Sequence, residues 1–244
     1  MRVAVMTPTY NEHSNILRFL AEVTQAVPEY DVFVVDDDSP DGTADHVAEV
    51  MKSNPRVKLI TRKEDRGFAA ACREGTTAIC GLGYDVIVAM DADLSHDPKV
   101  IPSMIAKIEQ GAGVVIGSRY VSGGGIENWT VFRRFLSLWG NVYTRALLGL
   151  SVRDCTSGFR AYHSSIIKSG AISSTTSHGY AFQTEVLLRV RDLTQRPIVE
   201  VPIVYVNRTL GESKMNKTII SESMRRVTLW GMHRLLSQTQ GRRC

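Results

Sequence analysis

Val86-Ile87-Val88-Ala89-Met90-Asp91-Ala92-Asp93-Leu94-Ser95-His96 is the stretch that decides how this chain folds. Five apolar residues in a row, three of them β-branched, favour a strand covered on both faces, which is the habit of a parallel sheet. The run ends on two carboxylates. Asp91 and Asp93 lie two residues apart, so in an extended segment they point the same way. The pattern recurs upstream, where residues 32–35 run into Asp36-Asp37-Asp38-Ser39-Pro40-Asp41-Gly42-Thr43. Residues 3–6, 57–61 and 114–116 read as further strands. Residues 16–26, 43–52, 69–80 and 99–109 carry helical spacing between them. This alternation defines a doubly wound α/β domain with a mostly parallel, Rossmann-like sheet.

The second half is less regular. Residues 120–128, rich in Gly and Ser, read as a loop. Residues 131–148 and 182–190 read as helices, 198–204 as a strand, 207–218 as a flexible loop and 219–236 as a final helix. The expected division is a catalytic domain over residues 1–218 and a basic helix and tail over 219–244.

Composition narrows the function. The 244 residues are 43% hydrophobic and 22% charged, which is ordinary for a globular protein and not for a disordered one. The net charge of +4 is concentrated in residues 221–244, where five arginines face the single acid Glu222. The rest is neutral, and no basic face interleaved with aromatics points to nucleic acid. Cys72, Cys80, Cys155 and Cys244 form no CxxC pair and no metal spacing, so buried or incidental thiols are expected, with Cys244 exposed. The first residues resemble a strand rather than a signal peptide, and no apolar run reaches the roughly 20 residues of a membrane helix. The expected location is cytoplasmic.

In an open α/β sheet, ligands bind beyond the carboxyl ends of the strands. Those ends are Pro8-Thr9-Tyr10-Asn11-Glu12, the 36–43 segment, Asp91–His96 read above, and Gly117-Ser118-Arg119-Tyr120. Clustered carboxylates repel unless a cation compensates them, and hard oxygen ligands suit Mg²⁺ or Mn²⁺, which commonly bridge to phosphates. There is no GxGxxG after the first strand and no GxxxxGK[ST], so neither a dinucleotide fingerprint nor a P-loop is present. A DxD phosphatase would carry its motif after the first strand, where Pro8–Glu12 stand instead. Taken singly, 39–43 could be only a turn with an N-cap, and a lone DxD is weak.

Together these segments resemble the inverting GT-A glycosyltransferases of family 2, and more narrowly the dolichol-phosphate (polyprenyl-phosphate) mannose synthases. The likeness continues through Trp129-x3-Arg133-x3-Ser137, Ser157-Gly158-Phe159-Arg160, Gly179-Tyr180-Ala181-Phe182-Gln183-Thr184-Glu185 and Arg208-x2-Gly211-Glu212-Ser213-Lys214. The resemblance implies transfer of mannose from GDP-mannose to polyprenyl phosphate, giving polyprenyl phosphate β-mannose and GDP. It implies that Pro8, Tyr10, Glu12, Val35 and Asp37 hold the guanosine. Asp91, Ala92 and Asp93 would meet ribose, diphosphate and metal, with Asp91 and Asp93 as metal ligands. Arg119, Arg208 and Lys214 would contact phosphates, and Arg133 and Ser137 would position the acceptor phosphate. Asp93, Arg133, Ser137 and Glu185 form the implied catalytic set, with Glu185 alternatively a buried partner of an arginine. Some relatives carry Gln where Ser95 stands, and many continue into membrane helices. Two other readings are a transferase using a different nucleotide sugar and a non-catalytic subunit of a lipid-glycosylation complex. The intact acidic and basic residues argue against the latter.

The acceptor implied here keeps its tail in a bilayer. The expectation is therefore a peripheral protein on the cytosolic face of a membrane, with a membrane-spanning partner subunit as a further implied partner. Two amphipathic C-terminal helices could serve. Residues 131–148 carry Phe132, Phe135, Leu136, Leu138 and Trp139. Residues 219–236 carry Ile219, Ile220, Met224, Val227, Trp230 and Leu235 on one face, with Arg225, Arg226 and His233 on the other. His96 and His178 are expected to be hydrogen-bonded loop histidines, and Trp129, Trp139 and Trp230 packing residues. Arg208 and Lys214 are expected in a lid over the donor.

Overall fold

The computed structural model describes residues 1–207 and 217–240. A seven-stranded sheet forms the centre. Its strands are β1 (Val3–Thr9), β2 (Asp31–Asp36), β3 (Val57–Thr61), β4 (Val86–Ala89), β5 (Val114–Ser118), β7 (Arg160–His163) and β8 (Ile198–Pro202), in the order β3-β2-β1-β4-β7-β5-β8. All run parallel except β7, which pairs antiparallel with both β4 and β5. The order reverses between β1 and β4, so a crevice opens where their carboxyl ends diverge. A parallel two-stranded ribbon, β6 (Gly125–Glu127) with β9 (Val204–Val206), stands beside the sheet. The strand expected over 198–204 is therefore two strands that turn from the sheet into the ribbon.

Alternation along the strands divides the core. Val3, Val5, Val32, Val34, Val86 and Val88 face one side, where α1 (His13–Ala26) and α4 (Ile101–Glu109) pack. The buried stripes of these helices are Ile16, Phe19, Leu20 and Val23, and Ile101, Met104, Ile105 and Ile108, each at i, i+3, i+4 and i+7. Ala4, Met6, Phe33, Val35 and Ile87 face the other side, towards α3 (Phe68–Gly81) and α7 (Gly179–Leu193). α3 comes so close to the sheet at Gly75 that a Cβ there would press on Met6 and Val35. α2 (Thr43–Ser53) covers the β2–β3 edge, and the short α6 (Ser164–Lys168) follows β7.

α5 (Val131–Leu148) begins on Thr130, whose side chain accepts a hydrogen bond from Arg133 N, and ends on Gly149 at φ 64°. α8 (Lys217–Gln240) packs on α5 and α7. Val227 enters the core, Trp230 packs against it, and Gly231 lets Leu147 of α5 seat on the helix backbone. This corrects the expected face. Met224, Val227 and Trp230 look inward, and the outward apolar residues are Leu229, Met232 and Leu236. Over its described residues the final helix belongs to the packed body. Residues 208–216, including the expected lid residues Arg208 and Lys214, and the end of the tail with Cys244 lie outside the described residues. Among the described residues no helix is long and apolar enough to cross a membrane.

Two helical glycines should respond in opposite ways. Nothing lies near the Cβ position of Gly140 in α5, whereas at Gly231 a Cβ would overlap Leu147. Gly140→Ala should raise unfolding stability by about 0.5–1 kcal/mol. Gly231→Ala should lower it by about 1–3 kcal/mol through overpacking. Urea midpoints of the two variants give the comparison, and equal shifts would refute the close α5–α8 contact.

Candidate active site

A cavity of about 600 Å³ opens at the carboxyl ends of β1, β2, β4 and β5. It brings together Pro8, Tyr10, Glu12, Asp37, Asp91, Ala92, Asp93, Arg119 and Arg133. It does not include three other expected residues. Val35 is fully buried with its side chain against α3. Ser137 stands away from the cavity and accepts a hydrogen bond from Tyr120 Oη at 2.7 Å. Glu185 is buried in α7, where its carboxylate accepts from the backbone N–H groups of Thr176 and Ser177 and approaches Arg189 at 3.5 Å. Its carboxylate braces the loop before α7. The alternative, Glu185 as a buried partner of an arginine, is met: Glu185 is buried and pairs with the half-exposed Arg189.

The acids of the second strand end divide their work. Asp36 accepts from Thr9 Oγ1 and from Ser39 N and Oγ, tying β1 to the turn. Asp41 accepts from His13 N and Thr43 N, joining the starts of α1 and α2. Asp37 alone of this run lines the cavity. It accepts from Gly67 N at 2.6 Å and from the buried Arg62, which also bonds Glu74. The hydrogen bonds and charge of Glu74, with Asp37, outweigh burial and raise the Arg62 pKa above its ordinary value. Glu12 is steadied by Asn15 Nδ2 at 2.8 Å.

Asp93 is pinned by Ser95, whose backbone N and Oγ both donate to Oδ1. The residue between them, Leu94, holds φ at 60°, a strained conformation for a non-glycine residue. Gly158 faces Asp91, and a Cβ there would contact both carboxylate oxygens at 3.5 Å. Asp91 and Asp93 thus line the cavity together, and no third His, Cys, Asp or Glu joins them as a metal-binding group among the described residues. That donor set fits Mg²⁺ or Mn²⁺, which is held by one or two carboxylates and takes further oxygens from a phosphate ligand and water.

The basic part is built differently. Arg119 donates to both oxygens of Asp154 at 2.7 Å and to Thr156 Oγ1 at 2.8 Å. Burial alone would push the Arg119 pKa down, but Asp154 reverses this and raises it. Burial would raise Asp154, and Arg119 holds it below the usual carboxylate value. The guanidinium of Arg133 lies 4.0 Å from the centroid of the Trp129 ring, so Trp129 is part of the cavity wall rather than core packing. His96 is also in the wall, stacked on Phe159 at 5.1 Å, and its Nδ1 has no hydrogen-bond partner. At Nδ1 it thus departs from the expected hydrogen-bonded loop histidine.

Sequence reasoning missed Arg66, Phe68, Trp129, Gln183 and Tyr205 as cavity residues. Trp129 and Gln183 stood inside motifs already singled out. Tyr205 had no signal, because its strand is only three residues long.

Two acids beyond β4, an acid beyond β2 and a mixed sheet switching at β1/β4 define a glycosyltransferase of the GT-A fold. The family model for glycosyl transferase family 2 matches residues 4–170. The chain belongs to that family, and within it to the polyprenyl-phosphate mannose synthases. It is 42% identical over 232 residues to an undecaprenyl-phosphate mannosyltransferase of Micrococcus luteus, covering 95% of each chain. It is 39% identical over 241 residues to a polyprenol monophosphomannose synthase of Mycolicibacterium smegmatis, covering 98% of this chain and 91% of that one. A dolichol-phosphate mannosyltransferase of Pyrococcus furiosus is 35% identical over 93% of this chain and 63% of its own length. Among solved structures, glucosyl-3-phosphoglycerate synthase from Mycobacterium tuberculosis, in complex with Mn²⁺, uridine diphosphate and phosphoglyceric acid, superposes with a TM-score of 0.68. It is 18% identical and covers 93% of this chain and 75% of that one, a likeness of fold.

His96 makes stability depend on pH. Burial lowers its pKa from 6.5 to about 4, with the opposing charge of Asp93 too weak to reverse this. Between these values the unfolded chain binds the proton and the folded chain does not. Stability from neutral His96 is therefore complete above pH 6.5 and falls as pH drops towards 4. The unfolding free energy should decrease by up to about 3 kcal/mol more over this window than in His96→Phe. Parallel titration slopes for the two proteins would contradict the buried neutral imidazole.

Proposed function

We propose that this glycosyltransferase moves mannose from GDP-mannose to polyprenyl phosphate, with inversion at the anomeric carbon, while resting on the cytosolic face of a membrane. The observation that carries this reading is the meeting of Asp91, Asp93 and Arg133 in one cavity at the start of an apolar helix. Val131, Phe132 and Phe135 are 84%, 74% and 64% exposed, and all lie within one turn of Arg133. A lipid phosphate can reach that guanidinium while its tail stays in the bilayer. The mannosyltransferase relatives support the sugar and the acceptor class.

Pro8, Tyr10, Glu12 and Asp37 bind the nucleoside in this proposal. Mg²⁺ or Mn²⁺, held by Asp91 and Asp93, supplies charge stabilisation for the leaving diphosphate. Arg119, locked by Asp154, offers a fixed positive group whose orientation costs nothing during the reaction. The acceptor phosphate is anionic at neutral pH, so attack needs no strong general base. That agrees with Glu185 lying outside the cavity. Arg208 and Lys214 remain proposed phosphate contacts, and a membrane-spanning partner subunit remains a proposed partner.

Labelled GDP-mannose, polyprenyl phosphate and Mg²⁺ should give a mannosylated lipid that extracts into organic solvent. Asp93→Ala should lower turnover at least about 100-fold with the circular dichroism spectrum unchanged. Full turnover in that variant, or equal turnover with UDP-glucose, would refute the proposal. Membrane contact is tested separately. Phe132→Ser/Phe135→Ser should reduce flotation with anionic liposomes several-fold, and unchanged flotation would remove α5 as the contact.

A further inference from the structure

Three arginines line the cavity, and they are not equivalent. Arg66 is paired with Asp38 at 2.5 Å, and Arg119 with Asp154 at 2.7 Å. No carboxylate among the described residues forms an ion pair with Arg133, whose polar contact is Asn207 Oδ1 at a long 3.4 Å. Among the described residues lining the cavity, it is the arginine without a carboxylate partner. Yet a long side chain so lightly tethered would sample many rotamers. What restrains it is the face of Trp129 at 4.0 Å.

Trp129 is itself the end of an aromatic column. Its ring meets Tyr205 edge-on at 5.5 Å, Tyr205 meets His96 at 5.6 Å, and His96 stacks on Phe159 at 5.1 Å. Phe159 is fully buried. The column thus runs from the core to the cavity and ends beneath a guanidinium. Trp129 Nε1 has no hydrogen-bond partner, so packing and not a hydrogen bond sets the ring's place. The same ring lies 5.8 Å from the Arg119 guanidinium. Two cations thus approach this ring, and its π-electron quadrupole attracts each.

We propose that Trp129 is a positioning residue that holds Arg133 for the phosphate of the acceptor. This rests on reading the cavity as a site for a phosphorylated lipid. The indole touches neither reacting atom and acts through Arg133. Replacing it with an aliphatic side chain leaves the charge present but unplaced, whereas phenylalanine keeps the aromatic face and removes the orphan N–H.

The test compares Trp129→Leu, Trp129→Phe, Arg133→Ala and the Trp129→Leu/Arg133→Ala double variant. Trp129→Leu should raise the KM for a short isoprenyl phosphate about tenfold, with the KM for GDP-mannose unchanged. Trp129→Phe should hold the rise below threefold. In the Arg133→Ala background, Trp129→Leu should change the acceptor KM by less than twofold. A second tenfold rise there, an equal rise in donor KM, or no rescue by phenylalanine would each overturn the proposal.

A binding readout separates this from the function itself. Trp139→Phe/Trp230→Phe leaves Trp129 as the single tryptophan of the chain. Adding isoprenyl phosphate should then shift its emission, and the shift should vanish with Arg133→Ala. Inorganic phosphate should produce the same shift at higher concentration. A shift that depends on Arg133 without any mannose transfer would refute the proposed reaction and uphold the role of Trp129. Normal transfer with no shift would do the reverse.

Discussion

The buried guanidinium of Arg160 is the contact on which the cavity depends. The side chain is fully buried, and its nitrogens donate to the carbonyls of Ser157, Cys155 and Gln183 at 2.8, 2.9 and 2.7 Å. These acceptors come from the loop before β7 and from α7. A charge with no water around it is tolerable only when its donors are met, and three carbonyl dipoles meet it. In return the arginine fixes that loop, which lies on the cavity at Thr156, Ser157 and Gly158. Asn141 adds to the same lock by accepting from Cys155 N at 2.7 Å.

Other parts of the site hang from that loop. Asp154 and Thr156 hold Arg119, Gly158 leaves room for Asp91, and Gln183 of α7 closes a wall. β7 carries Arg160 and is the strand that breaks the parallel order. Inserting it between β4 and β5 spreads their carboxyl ends and widens the crevice. At the rim, Asn11, Asp38 and Leu94 hold φ at 58°, 56° and 60°. Asn and Asp tolerate that region, and Leu does so at a cost of order 1 kcal/mol. The strain sits beside Asp93 and turns its carboxylate onto Ser95.

The doubly wound core was legible because its strands are continuous apolar runs and its helices have clear stripes, as at Ile101, Met104, Ile105 and Ile108. The acidic rim was legible because strand ends and ligand sites coincide in such sheets. β7 was not, since Arg-Ala-Tyr-His is four residues with a charge at one end, too short for a period. The three-residue strands β6 and β9 escaped for the same reason. Val35 and Glu185 were placed in the site by resemblance; the side chain of Val35 lies in the core, and the carboxylate of Glu185 braces the loop before α7. The final helix was misread in orientation because apolar residues occupy more than one face. Periodicity alone does not say which face meets Leu147 and which meets solvent.

α5 shows why the site and the surface cannot be treated as separate designs. Its last turns bury Asn141, Thr144 and Leu148, while its first turns expose Phe132 and Phe135. Arg133 lies between these exposed phenylalanines, half-buried, with its guanidinium turned to Trp129 in the cavity. A helix anchored at one end by the Asn141 lock and unburied at the other presents apolar surface and a cation at one place. Two features then follow from a single element: an apolar approach for a lipid chain, and a cationic stop for its phosphate. Within its described residues the final helix carries Arg225, Arg226 and Arg234 against Glu222, so basic charge first read as a tail belongs in part to a helix packed against α5.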